Sequence, residues 1–488
     1  MIQVVNMVPK SNSDEVFQDS EPHLAVNPTN PQQIAASAFT PDPLRGPNAP
    51  IYVSTNGGLT WRLNSNVPSG AGQFFPTGDI TTTAPGRRND DDNGNDDGND
   101  DDNDNDGDNG RRLYAGILRT PGSLLFNALR TPDFLSPTVM TVLLSRSNED
   151  QPWAQVIKVR SGPDAGKDNL YIGINDLNRR PENGGDGRTA TVEQSLDAAI
   201  TAPTFNSARL EQRNTLGPGG GPDQDGPQIR PVVHRDGTVY AVFYGWRNRD
   251  FTNRVTSDIV VVRDDNRGAG ATPYTDLVDA NDGIAGVRVV QNITFTFNSV
   301  LGQTRLGGNP SIAVDPRNSS TVYLAWADAQ TSVSTLHIRR STDRGQTWGS
   351  DLRTIDNATN PALAVNSRGH VGLLYQRLTG TAPNQRYETH LERSSNGGAA
   401  WGDSILANTP AATPASTFQP YLGDYDYLMA VGRTFYGIFS ANNSPNRANF
   451  PSGVRYQRNV DFDTNRLLGL DGSTIIPTSI DPFFVKST

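Results

Sequence analysis

Ser341-Thr342-Asp343-Arg344-Gly345-Gln346-Thr347-Trp348 decides how this chain is read. The same spelling returns at residues 54–61 (STNGGLTW) and 394–401 (SSNGGAAW), with Ser first, Asp or Asn third, Gly fifth and Trp eighth. An Asx side chain bonds the backbone of its own turn, Gly accepts positive φ, and an indole buries a large area beside them. Together these four places predict a turn between two strands. Its return in three copies makes the chain an internal repeat.

Working outward, a second phrase precedes each turn: Pro22-His-Leu-Ala-Val-Asn-Pro, Pro310-Ser-Ile-Ala-Val-Asp-Pro and Pro361-Ala-Leu-Ala-Val-Asn. An apolar strand follows, such as Thr321-Val-Tyr-Leu-Ala-Trp, then a third strand leading into the turn and a fourth leaving it. Four strands in about 50 residues is one antiparallel blade, which buries its faces only by stacking on similar units. Fainter copies open at Asp79, Gln151, Arg230 and Asp426. The fold class is therefore all-β, a β-propeller of seven four-stranded blades, with six as the alternative. Val454-Arg-Tyr-Gln-Arg is read as a later strand of the seventh unit, and Ile2-Gln-Val-Val-Asn as a strand that pairs with it. Leu124 to Leu129 reads as a short helix.

The 488 residues include 47 Gly and 34 Pro with 19% charged residues, a composition suited to many short strands and turns, and the reading is one domain over residues 1–488. Cysteine is absent, which excludes disulfides and thiolate metal sites. No apolar run nears the ~20 residues of a membrane span. The start lacks the plan of a signal peptide; the expectation is an extracellular or envelope location with a leader not present in this chain, the alternative being that the protein is not secreted by that route. The net charge of −10 is local: Asn89 to Gly110 holds eleven Asp, and taking these from the 52 acidic side chains leaves 41 against 42 basic ones. Such a near-neutral body gives no nucleic-acid footprint. The acidic tract is an insertion over 85–112 in the second blade. Within it Asp102, Asp104 and Asp106 match half of a calcium loop, D-x-D-x-D-G, without the Glu at the twelfth place. Calcium is thus a possible ligand, the alternative being a solvated loop, and no cofactor is required.

Strand parity assigns the faces. The turns between third and fourth strands lie at the bottom; the residues opening each innermost strand lie together at the top, where loops collect function. Those residues are Glu21, Asp79, Gln151, Arg230, Asn309, Asn360 and Asp426, all polar, with Asp424 and Tyr425 adjacent. They converge on one mouth if the ring closes; the blander reading is that they cap strand ends. Glu388, His390 and Glu392 share one side of a strand and read as solvent-facing.

The repeated turns resemble the Asp-box (BNR) repeats of the sialidase superfamily of β-propellers, a match that covers most of the chain. The resemblance implies an arginine clamp for a sugar carboxylate, a Tyr nucleophile activated by a Glu, and an Asp as acid/base. Carried onto this sequence, it implies Arg230 with Arg305 and Arg247 as the clamp, Tyr425 or Tyr421 as nucleophile, Glu21 as base, and Asp424 or Asp79 as acid. The polar residues Asn309, Asn360, Gln151 and Asp426 complete the expected substrate contacts. The family's Phe/Tyr-Arg-Ile-Pro signature is absent near the N-terminus. The expectation is a glycan-engaging propeller, a glycoside hydrolase of acidic sugars in its enzymatic form. A polysaccharide lyase and a non-catalytic carbohydrate-binding or assembly module are the alternatives.

Overall fold

The computed structural model describes residues 1–39, 48–68, 78–85, 111–119, 124–180, 183–213, 228–252, 254–296, 310–329, 334–411, 413–414 and 422–488. Their strands form seven four-stranded antiparallel sheets and one small three-stranded sheet. After β1 (Ile2–Asn6), blade 1 comprises β2 (Ser20–Val26), β3 (Ile34–Phe39), β4 (Ala49–Ser54) and β5 (Arg62–Val67). Blade 2 comprises β6 (Ile80–Thr83), β7 (Leu113–Arg119), β8 (Leu125–Thr131) and β9 (Thr141–Ser147). Blade 3 is β10 (Glu149–Lys158), β11 (Asp168–Asp176), β12 (Ala190–Ser195) and β13 (Asn206–Arg209). Blade 4 is β14 (Arg230–Val233), β15 (Val239–Arg249), β16 (Arg254–Asp264) and β17 (Val287–Thr296). Blade 5 is β18 (Ser311–Asp315), β19 (Asn318–Asp328), β20 (Thr335–Ser341) and β21 (Arg353–Asp356). Blade 6 is β22 (Ala358–Val365), β23 (Val371–Thr379), β24 (Arg386–Ser394) and β25 (Ile405–Pro410).

Blade 7 starts with β26 (Tyr427–Val431) and β27 (Thr434–Asn442). An excursion then carries the small sheet of β28 (Val460–Asp461), β29 (Arg466–Leu468) and β30 (Ile475–Ile476) before β31 (Ile480–Ser487) returns as the third strand. The fourth is β1, paired from Ile2↔Ser487 to Asn6↔Phe483. The N-terminal strand thus fastens the ring. Two expectations need correction. Val454–Arg458 is no blade strand, and Arg455 makes only an isolated parallel bridge to Val5. Residues 125–131 form β8 rather than a helix, because β7 and β9 offer ladders on both sides.

Innermost strands β2, β6, β10, β14, β18, β22 and β26 pack each on the next, and β26 packs on β2, so the ring closes at seven. Side-chain alternation explains why. In β19 Tyr323 faces Leu373 and Tyr375 of blade 6, while Leu324 joins Tyr244 and Trp246 of blade 4. In β23 Leu373 packs toward blade 5 and Leu374 toward Phe435 and Phe439 of blade 7. Both faces of a blade are therefore apolar, and each wedge between blades is a core of its own. Buried tyrosines stitch the wedges: the Tyr244 hydroxyl donates to the Ala327 carbonyl at 2.7 Å, and that of Tyr240 to Ser319 at 2.6 Å.

The three repeated turns share one geometry. Ser54, Ser341 and Ser394 accept through Oγ from the N–H of Gly58, Gly345 and Gly398 at 2.9–3.0 Å. The third-place Oδ1 of Asn56, Asp343 and Asn396 accepts from the seventh-place N–H at 2.9 Å in every copy. The Trp61, Trp348 and Trp401 indoles donate back to the glycine carbonyl at 3.0–3.1 Å. Blade 4 keeps a diverged version, in which Asp264 Oδ1 accepts from Gly268 N–H at 2.6 Å. These turns sit beside the connections between first and second strands, as Gly57 N–H to Gln32 carbonyl (2.9 Å) shows.

Candidate functional site

The opposite ends of the innermost strands carry a recurrent device. Glu21, Gln151 and Asn360 have φ of +50°, +54° and +52°, and each precedes a proline, Pro22, Pro152 or Pro361. The ladder slips at the same place in all three blades, between Ser20 and His23, Asp150 and Trp153, and Thr359 and Ala362. Proline lacks the N–H that would continue the ladder, so a bulge forms and the preceding residue leaves the extended region. Left-handed backbone at a non-glycine residue is strained, and such strain gathers at functional sites.

These residues meet. Glu21 Oε1 accepts from the Asp424 N–H at 3.0 Å, and the Gln151 amide donates to Asp424 Oδ2 at 3.3 Å. Gln228 donates to the Asp424 carbonyl at 3.0 Å, and Asn360 donates to the Gly423 carbonyl at 3.1 Å. Blades 1, 3, 4, 6 and 7 are thereby tied around the segment 422–427. The side chains of Glu21, Asp79, Gln151, Arg230, Asn360, Asp424, Tyr425 and Asp426 are all buried.

Beneath them lies a cavity of about 830 Å³ lined by Trp153, Arg230, Tyr425, Asp426 and Tyr427 at this end. The Arg230 guanidinium stacks 3.5 Å from the centre of the Trp153 ring and 5.3 Å from that of Tyr425. Trp153 meets Tyr425 edge-on at 5.3 Å, and His23 stacks on Tyr427 at 3.7 Å. Burial pushes Arg230 down to about 9, held up by Tyr425, Asp79, Glu21 and Asp424. It stays a cation at neutral pH. Burial, then Glu21 and Asp79, drives the Tyr425 hydroxyl well above its ordinary value, so its proton is retained at rest. Burial and the Arg230 charge hold His23 neutral, its Nδ1 accepting from Thr82 N–H at 3.2 Å. Asp426 is pushed well up by burial. Among the described residues Arg230 Nη2, the Tyr425 hydroxyl and Asp79 Oδ1 have no hydrogen-bond partner.

Of the residues singled out from the sequence, Glu21, Asp79, Gln151, Arg230, Asn360, Asp424, Tyr425 and Asp426 are brought together. Arg247 is not. It lies on β15, ion-paired to Glu211 (2.9 Å) and Asp258 (2.8 Å), and does not line the cavity. Arg305, Asn309, Tyr421 and the possible calcium ligands Asp102, Asp104 and Asp106 fall outside the described residues. Among the described residues no group of three or more His, Asp or Glu is placed to hold a metal ion. Glu388, His390 and Glu392 do share a side of β24, where His390 and Glu392 are buried and Glu388 is only half-buried. His390 stacks on Tyr375 at 4.8 Å between Glu388 and Asp403, and Glu392 accepts from Tyr375 at 2.9 Å. Trp153 was missed, although its position two residues after the polar Gln151 was a usable signal.

No protein-family model and no curated protein sequence matches this chain. Among solved structures it is similar to a variant α-L-arabinofuranosidase, arb93a, of Fusarium graminearum bound to an iminosugar inhibitor. That match has 9% identity and a TM-score of 0.42, covering 83% of this chain and 96% of that one. It is similar also to a PL25 ulvan lyase, at 11% identity and TM-score 0.45 over 87% and 92% of the two chains. A third is a Hadza microbial sialidase, at 12% identity and TM-score 0.36 over 89% and 65%. The closed ring of blades itself defines the class, an all-β propeller. Among the described residues no helix is long and apolar enough to cross a membrane.

Proposed function

We propose that the protein is a glycan-processing propeller whose cavity takes an acidic sugar unit, in the manner of a sialidase-like glycoside hydrolase. The observation that carries this is a buried guanidinium lining a cavity, beside a buried phenol, each with an atom no described residue satisfies. Buried polar groups left open in this way call for an explanation, and a ligand in the cavity supplies one. Arg230 pairs with the sugar's carboxylate or sulfate, its plane held flat by Trp153. Tyr425 attacks the anomeric carbon while its proton passes to Glu21; the raised Tyr425 value requires that transfer to be concerted with attack. Asp79, with an open oxygen, protonates the leaving-group oxygen, and Gln151 and the Asp424 N–H keep the neighbouring carboxylates in place. Water, its proton taken by Asp79, then attacks the anomeric carbon and displaces Tyr425, whose oxygen recovers its proton from Glu21.

A panel of sialylated and uronate-containing glycans tests this with Arg230→Ala and Tyr425→Phe. Each should lower kcat/KM by roughly 10²-fold or more, the usual scale for removing one electrostatic or covalent participant. Turnover that survives both substitutions refutes the assignment. The firmly held Tyr425 proton favours one second reading, a binding module without turnover. It would bind glycan with Tyr425→Phe unchanged and lose binding only with Arg230→Ala.

A further inference from the structure

Among the described residues, four with a buried side-chain atom that lacks a hydrogen-bond partner line the cavity: Gln228, Arg230, Tyr425 and Asp426. All four lie at the end where the innermost strands open. They differ in kind. Arg230 offers a charged N–H, and Tyr425 a hydroxyl. Gln228 is fully buried two residues before Arg230, and Ile229 between them belongs to the core shared by blades 3 and 4. Its amide is oriented by the bond it donates to the Asp424 carbonyl at 3.0 Å, which leaves Oε1 an open acceptor. Asp426 is 1% exposed, and neither carboxyl oxygen has a hydrogen-bond partner among the described residues. Burial pushes its value well up against the pull of the Ser440 N–H, and the protonated form this favours carries an O–H donor.

A ligand that is only an anion, such as sulfate or a plain carboxylate, meets Arg230 and leaves the other open groups to water. A hydroxylated anion meets them together: one hydroxyl donates to Gln228 Oε1, and another accepts from Asp426. Polar groups placed to pair with a ligand's hydroxyls discriminate against an analogue that lacks them. Water held in a cavity of about 830 Å³ keeps the preference moderate, because it satisfies the same groups in the free protein. We propose that Gln228 and Asp426 are the specificity-determining residues of the cavity, reading two hydroxyls of an acidic sugar whose charge Arg230 holds. Their role rests on the acidic-sugar reading of the cavity and adds to it the selection of a sugar over other anions.

The test is calorimetric binding of D-glucuronate and D-galacturonate to the full chain at neutral pH. The comparator is cyclohexanecarboxylate, which sets the same charge on a six-membered ring without hydroxyls. The uronates should bind about tenfold or more tightly, the scale of one or two net hydrogen bonds. Asp426→Leu and Gln228→Leu should each weaken the uronates about fivefold to tenfold and leave cyclohexanecarboxylate within about twofold. Asp426→Asn should keep most of the affinity, since its amide still donates. A purely structural role, or partial misfolding, would weaken the two ligand types alike. Equal affinity for uronates and cyclohexanecarboxylate overturns the proposal, as does parallel loss of both in the Leu variants. So does Asp426→Asn as weak as Asp426→Leu, or no uronate binding at all. Arg230→Ala separates this result from the fate of the charged anchor, and should weaken both ligand types by a similar factor. Uronate selectivity that outlives an ineffective Arg230→Ala supports hydroxyl reading and removes the anchor of the proposed function. An effective Arg230→Ala without uronate selectivity keeps the anchor and overturns the hydroxyl reading.

Discussion

Replacing the fifth-place glycine of each repeated turn by alanine probes one backbone in three surroundings. Gly58, Gly345 and Gly398 have φ of +86°, +82° and +93°, so each new methyl carries the same conformational cost, ~1–2 kcal/mol. Restricting the unfolded chain returns ~0.4–1 kcal/mol of that. What differs is the neighbour. At Gly345 the methyl would come closest to Leu277 Cδ2 at 3.3 Å, with Tyr240 and Trp348 at ordinary contact distance beyond it, a fit small shifts absorb. At Gly398 it would meet Leu352 Cδ1 at 2.7 Å, the movable end of a half-buried side chain. At Gly58 it would lie 2.1 Å from Cε1 and 2.6 Å from Cδ1 of Phe484, a fully buried ring packed on Trp61 at the closure between blades 7 and 1. Overpacking of that kind adds ~1–3 kcal/mol. Net losses of ~1, ~2 and ~2–4 kcal/mol follow for Gly345→Ala, Gly398→Ala and Gly58→Ala. Scanning calorimetry of the three variants should give melting temperatures falling in that order. Equal shifts, or the largest loss at Gly345, would refute the claim that neighbours rather than φ separate the three turns.

Two further outcomes follow from buried groups and from ring closure. Burial, then Glu193 and Asp176, pushes Glu149 up to about 9. The folded state therefore holds a proton the unfolded state has lost, and stability falls as pH rises from about 4.5 toward 9. Glu149→Gln should raise the melting temperature at pH 8 and leave it little changed at pH 4.5, as read by thermal melts at both. Removing β1 (residues 2–6) strips the outer ladder from β31 and exposes the cores that hold Val4 and Val5, side chains worth ~1.5–3 kcal/mol each when buried. The shortened chain should lose several kcal/mol in denaturant titration, with added free peptide of that sequence recovering part of it.

Much of this molecule is legible from residues alone, for a physical reason. A turn that needs Ser, Asx, Gly and Trp at fixed places cannot be spelled many ways, so its copies mark the blades, and strand parity then gathers Glu21, Asp79, Arg230 and Tyr425 at one end. What escaped depends on contacts across the chain. Residues 125–131 look helical because both faces are apolar: Phe126 and Ala128 serve the core shared with blade 3, and Leu129 the core shared with blade 1. Arg247 looked available because nothing in its own strand reveals Glu211, 36 residues earlier, as its partner. The third strand of blade 7 was missed because the small sheet separates it from β27.

The slipped ladders at Glu21, Gln151 and Asn360 have a consequence for how such a ring can change. Within a regular strand, each side chain is committed by alternation to one neighbouring core or the other, so exchanging it disturbs packing. A bulged residue before a proline is released from that commitment. Its identity is set instead by the left-handed backbone it holds and by its bonds to the segment 422–427, so substitution there alters what the central axis displays while both flanking cores keep their members. A propeller equipped with such positions can acquire new ligand chemistry one wedge at a time, without refounding its architecture.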